Sequence, residues 1–185
     1  MKKILSLLIF LLPCFAFAQK KSIDGFMDIP FESDSATVKA AVLAKGGIKV
    51  DSLSKKDQLT FSNFSFSDRP INNLNVFFMD NKAYDAFFDF SNTDDILNYY
   101  DSLVADITAV YGKPGEVYNA PGYTNSEKIR MLLKGNIDIR TLWQSKNRNV
   151  ISLHIVLYGN ALILRLRYQN TDLSNAAAAK RRSDL

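Results

Sequence analysis

Arg140, His154, Arg165 and Arg167 are the side chains in this 185-residue chain whose types and spacing best suit one chemistry, the holding of an anion. Two residues apart in a strand means one shared face, so Arg165 and Arg167 belong together. The dipeptide Gly159-Asn160 is a two-residue hairpin signal. Taken as the turn, it sets Leu157 against Leu162, Ile155 against Leu164, Leu153 against Leu166 and Ile151 against Tyr168. All eight then project to one side, and a slip of one residue would send a strand's apolar set to the wrong face. A short loop around residues 146–148 places Trp143 opposite Ile151 and Ile139 opposite Ile155. Arg140, His154 and Arg165 thereby form one row across three strands, with Arg167 beside it. A phosphate, a carboxylate or an acidic glycan suits such a row. If Asp138, Asp85 or Asp89 pairs with these cations instead, the row is an ordinary polar sheet face.

Other chemistries lack their parts. His154 is the single histidine and sits mid-strand. No G-x-S-x-G elbow supplies a serine for a Ser-His-Asp triad. One histidine and one cysteine do not make a zinc site, and no stretch has the EF-hand spacing. Neither G-x-x-x-x-G-K nor G-x-G-x-x-G occurs to cradle a phosphate. A carboxylate pair for glycan hydrolysis would first be sought at Asp85 and Asp89, which share a strand face. The chain is expected to work without catalysis, cofactor or metal.

The elements that position the row come after a leader. Lys2 and Lys3 precede an apolar run from Ile4 to Phe15, and Ala16-Phe17-Ala18 is a small-x-small cleavage pattern, so residues 1–18 read as a secretory signal peptide. The run is too short to span a bilayer, which takes about 20 residues. Cys14, the sole cysteine, would be a lipid-attachment site only after a small residue, and Pro13 stands there. The expected mature chain starts at Gln19 and has no disulfide. Its location is expected to be the periplasm or the cell exterior. The formal charge of +4 resides in the ends, since Lys2 and Lys3 leave with the leader and Lys180, Arg181 and Arg182 face only Asp184 at the other end. A neutral body is not the footprint of a nucleic-acid binder.

Residues 19–174 read as one α+β domain and 175–185 as a flexible basic tail. Ser33 to Ser35 offer caps for a helix running to about Lys45, which Gly46-Gly47 stops. Strands follow near 59–66, 74–79 and 84–90. Asn92 or Thr93 caps a second helix, whose stripe Ile96, Tyr99, Tyr100, Leu103, Ile107, Val110 and Tyr111 recurs at three- and four-residue spacing, with Gly112 as its stop. Residues 115–127 read as loop. Strands 137–144, 151–158 and 161–168 complete an order α-βββ-α-βββ, with both helices on one face of antiparallel sheet. With Asn81-Lys82 as the first hairpin's turn, Leu74, Val76, Phe78 and Phe87 share a face with Asp85 and Asp89. That patch is core if chain folds over it, and a ligand or dimer surface if left open.

The two hairpins align without a gap at a spacing of 78 residues: Phe90 on Tyr168, Phe88 on Leu166, Ala86 on Leu164. Asn-Thr-Asp follows each, at 92–94 and 170–172. The halves read as degenerate repeats forming one antiparallel sheet or two abutting ones.

Ile29-Pro30-Phe31 before a capped helix ending in Lys45-Gly46, then Tyr111-Gly112-Lys113-Pro114, then a tryptophan strand and a hairpin closing in Tyr168-Gln169-Asn170, resemble small secreted bacterial α+β domains of unknown function. Glu32 stands where those domains often carry glycine. Helix-then-sheet repeats are also similar, at the level of fold, to the beta-lactamase inhibitor protein and to small envelope-assembly lipoproteins. The resemblance implies an exported α+β domain and brings no catalytic residue. The expected function is a binding module whose partner is an envelope protein or cell-wall component. The alternatives are a carrier of a small anion and a cell-wall or glycan hydrolase.

Overall fold

The computed structural model describes residues 20–90 and 95–183. The expected leader, Cys14 and the expected Asn92-Thr93-Asp94 cap region lie outside the described residues. The chain first makes a small hairpin, β1 (Gly25–Phe26) and β2 (Ile29–Pro30), around Met27 and Asp28 at φ 50° and 62°. Gly25 is required there: a Cβ would lie 2.0 Å from the Ile29 carbonyl oxygen. Helix α1 (Ser35–Ala44) follows, its first turn capped by Asp34, whose carboxylate accepts the Thr37 N–H at 2.7 Å. Five strands come next: β3 (Ile48–Lys49), β4 (Gln58–Ser62), β5 (Ser65–Phe66), β6 (Arg69–Met79) and β7 (Lys82–Phe90). The cap of α2 (Ile96–Tyr111) is Asp95, two residues beyond Thr93, the later of the two expected caps. Then come β8 (Glu116–Tyr118), α3 (Asn125–Leu133), β9 (Arg140–Gln144), β10 (Val150–Tyr158), β11 (Ala161–Gln169) and α4 (Thr171–Ser183).

The class is α+β, with one large antiparallel sheet ordered β3-β4-β6-β7-β11-β10-β9-β8 and β5 folded back on β6. The expected two helices are four among the described residues, and the expected strand trios gain short companions. Both halves share the single sheet. They join where β7 pairs with β11, and Phe88 there faces Leu166, the residue 78 positions later.

Burial alternates residue by residue along β10 and β11, the mark of a sheet with one covered face. The covered face carries Leu74, Val76, Phe88, Phe90, Trp143, Ile151, Leu153, Ile155, Leu164, Leu166 and Tyr168, all in one core. Val38 and Val42 of α1, Tyr100, Leu103 and Ile107 of α2, and Leu132 of α3 close over it. Burial of this apolar surface is the main source of stability.

Three expectations need correction. The first hairpin turns at Asp80-Asn81, both left-handed at φ 49° and 61°, because Met79 pairs with Lys82. A bulge then leaves Tyr84 without a ladder partner between Ala83 and Asp85. The register therefore slips by one from the expected pairing, and Leu74 opposite Phe88 enters the core while Phe87 goes to the other face. Secondly, residues 125–133 form a helix where loop was expected up to 127; Thr124 and Glu127 cap it reciprocally in a capping box. Thirdly, the expected basic tail from residue 175 is the body of α4. That helix is anchored at its start by Thr171 Oγ1 on the Arg148 carbonyl and near its end by Lys180 Nζ, 2.6 Å from Asp80. Ala177 is buried on it.

Candidate functional site

The face of the sheet that α1, α2 and α3 leave open holds the candidate site. Strand pairing places Arg140 beside His154, His154 beside Arg165, and Arg165 beside Asp89. The row inferred from the sequence thus exists and runs on into the first half, where Asp89 neighbours Asn73. The next row sets Ser152 beside Arg167 and Arg167 beside Phe87.

Each arginine of the row lies against a carboxylate, and His154 shares Asp138 with Arg140. Arg165 donates from Nε and Nη2 to the two oxygens of Asp89 at 2.6 and 2.9 Å. Arg167 grips Asp85 in the same two-pronged way, at 2.8 and 2.5 Å. This planar fork is the strongest geometry available to a guanidinium and a carboxylate. Asp85 and Asp89 are only 6% and 8% exposed, since the arginines and Phe87 lie over them. The hydrogen bonds it donates to Asp85 hold the Arg167 guanidinium above its ordinary pKa. On the outer strands Asp138 serves two partners: its Oδ1 lies 2.7 Å from His154 Nε2, and its Oδ2 lies 3.2 Å from Arg140 Nε.

Aromatic rings sit among these pairs. Arg165 stacks on the Phe87 ring at 4.2 Å, Phe87 lies 5.5 Å from Phe77, and Arg140 stacks on Tyr118 at 4.3 Å. Toward β4 the face becomes amide-rich, with Gln58 and Thr60 both donating to Asn75 Oδ1. A shallow cleft of about 390 Å³ lies over the centre, bounded by Phe77, Phe87, His154, Arg165, Arg167 and Arg181.

The structure therefore brings Arg140, His154, Arg165 and Arg167 together as expected. It separates the four residues of the apolar patch. Leu74 and Val76 are fully buried and Phe78 is 5% exposed, all in the core, whereas Phe87 joins the arginines on the open face. Tyr118 and Arg181 are site residues that sequence reasoning missed. Tyr118 lies in a three-residue edge strand, Glu116–Tyr118, within the stretch 115–127 that reads as loop. Arg181 reaches the cleft because α4 is folded onto the sheet.

Chemically, the face offers two rigid, neutralised Arg–Asp forks beside aromatic rings, with Asp138 Oδ1 and Arg140 Nε buried but without a hydrogen bond among the described residues, and Arg181 at the edge of the cleft. A free anion would have to displace Asp89, Asp85 or Asp138 to win the arginines of the row. Asp85 and Asp89 each have both carboxylate oxygens bound by an arginine. Among the described residues no group of three or more histidine, cysteine, aspartate and glutamate side chains could hold a metal ion, and no helix is long and apolar enough to cross a membrane. No protein-family model matches the chain, and no curated protein or solved structure matches it at a significant level.

Proposed function

We propose that this chain is an exported, non-enzymatic binding module whose open sheet face docks onto a protein of the bacterial envelope. The observation that carries the reading is the pairing of Arg140, Arg165 and Arg167 with carboxylates of their own chain. A row of arginines already neutralised gains little from a small anion. It suits a broad partner that covers the ion pairs and stacks on the rings between them. Arginine and aromatic residues are the side chains enriched at protein interfaces and at their energetic centres. Two-pronged pairs also hold the arginines in fixed rotamers, which lowers the ordering cost of binding.

The leader at residues 1–18 supports export to the periplasm or beyond. The 78-residue correspondence supports a reading of the halves as degenerate repeats, because Phe88 and Leu166, equivalent under it, face each other at the join. The anion-carrier alternative draws on the same residues but needs an enclosed pocket, and the cleft is open. The hydrolase alternative needs two free carboxylates converging on one point.

The test is a pull-down of envelope proteins by mature chain 19–185 and by an Arg140→Ala/Arg165→Ala variant. The reading expects a discrete protein partner that the variant loses while its secondary structure and cooperative melting persist. An unchanged partner set would contradict it.

A further inference from the structure

A second site lies on the helix side of the sheet, away from the open face and independent of it. A groove of about 500 Å³ runs between the C-terminal half of α2, the β1–β2 hairpin and the β5–β6 hairpin. This volume is in the range of small-molecule sites, about 300–1,000 Å³. Its floor is apolar, made by Met27, Phe66, Leu103, Ile107, Val110 and Tyr111, and its rim is polar and charged. Phe66 is fixed against Phe88 at 4.8 Å, and Tyr111 against Tyr168 at 6.5 Å. The outer wall is a flap. Ser67 and Asp68 turn it tightly at φ 48° and 60°, and Arg69 latches it to α2 through Asp106 at 2.6 Å and Ser102 at 2.8 Å.

Charge is uneven around the rim. At the flap end two carboxylates, Asp68 and Asp106, outnumber the single cation Arg69. At the other end Lys21 and Lys45 share a single carboxylate, Asp28, at 3.0 and 3.9 Å. The side chain of Lys20 lies alongside, against Gly112. One end of an apolar trough thus carries more ammonium than carboxylate, which is complementary to a chain with an anionic head.

We infer that this groove binds a single-chain amphiphile, a long-chain carboxylate, with its hydrocarbon along Phe66, Ile107 and Tyr111 and its head at Lys21 and Lys45. The β5–β6 flap, held by Arg69, is the element that closes over the chain.

The test is calorimetric titration of mature chain 19–185 with dodecanoate, and with dodecanol as the headless control. Val110→Trp fills the groove from a half-exposed rim position and is expected to weaken both ligands by about tenfold or more, the equivalent of about 1.4 kcal/mol. Lys21→Ala/Lys45→Ala is expected to weaken dodecanoate about tenfold and leave dodecanol unchanged. Circular dichroism melting of each variant verifies that its fold is kept. Vesicles of anionic phospholipid are expected not to bind, because the groove takes a free chain. No saturable dodecanoate binding to the unaltered protein would overturn the inference, as would binding that ignores Val110→Trp. Equal losses for both ligands in the lysine variant would overturn the placement of the head. Binding to vesicles without binding to dodecanoate would point to a membrane surface and overturn the free ligand.

Discussion

Asp89 in β7 receives both guanidinium hydrogen bonds of Arg165 in β11, at 2.6 and 2.9 Å, across 76 residues of sequence and across the one seam that joins the two halves of the sheet. With Asp85 and Arg167 beside it, this pair makes the seam polar on its open side. On the covered side the same seam is Phe88 against Leu166. The two sides do different work. The apolar contact supplies burial energy, and the ion pairs set which way the halves meet and what surface they show.

Removing one member of that pair is expected to cost more than removing both. Arg165→Leu leaves the Asp89 carboxylate, 8% exposed, without its forked partner. The expected loss is about 2–3 kcal/mol in urea unfolding, below the full cost of a wholly buried pair because Arg165 keeps some solvent access. Arg165→Leu/Asp89→Asn is expected to recover roughly half of it, since no buried charge remains. Additive losses in the double variant would show that the two residues are not coupled.

Tyr100 gives the fold an alkaline signature. Its hydroxyl is 2.7 Å from Thr141 Oγ1 in the core, and burial pushes the phenol up to about 12 from its ordinary 10.0. Between those values the folded chain keeps a proton that the unfolded chain has released. Stability is therefore unaffected by this group below about pH 10 and falls above it, by about 1.4 kcal/mol per pH unit. Tyr168, raised by burial as well, adds to the fall. Tyr100→Phe is expected to make the alkaline slope shallower by one proton. At neutral pH it costs about 1–2 kcal/mol, because Thr141 loses its partner. Unfolding titrations at pH 8 to 11.5 measure both; an unaltered slope would contradict the assignment.

Gly25→Ala is expected to be among the most damaging small changes. The new methyl would meet the Ile29 carbonyl oxygen and force the β1–β2 hairpin open. That hairpin seats Phe26 and Ile29 in the core, 1% and 3% exposed. The expected loss is about 2 kcal/mol or more. Gly115→Ala, where a Cβ meets nothing, is the control and is expected to change little. Equal melting temperatures for the two variants would refute the argument from close approach.

The second hairpin was legible in the sequence down to its register, because strict alternation from Ile151 to Tyr168 around Gly159-Asn160 tolerates one pairing. The row Arg140, His154 and Arg165 followed from it. The first hairpin was not. Its turn uses Asp80-Asn81, and Tyr84 is bulged out, so the tips of the two hairpins are offset by 79 residues while β7 and β11 are offset by 78. A single extra residue parted Phe87, on the open face, from Leu74 and Val76 in the core. The carboxylate partners of the arginines were nameable, yet which of them paired depended on β7 lying beside β11, a contact that no local pattern encodes. Helix α3 escaped because its apolar residues are few, though Thr124 and Glu127 carried a readable capping signal. Helix α4 escaped because an alanine run followed by three basic residues reads as tail, and its order comes from Lys180, Thr171 and Ala177 meeting the rest of the fold.

The central claim is that the open sheet face is the docking surface, and site-specific photo-crosslinking in the producing cell tests it most directly. A photoreactive phenylalanine derivative would replace Ser152 or Val156 on the open face, or exposed Ala105 on the outer side of α2. The account predicts a discrete crosslinked protein from Ser152 and Val156 and none from Ala105. Crosslinks from Ala105 with none from the sheet would contradict it.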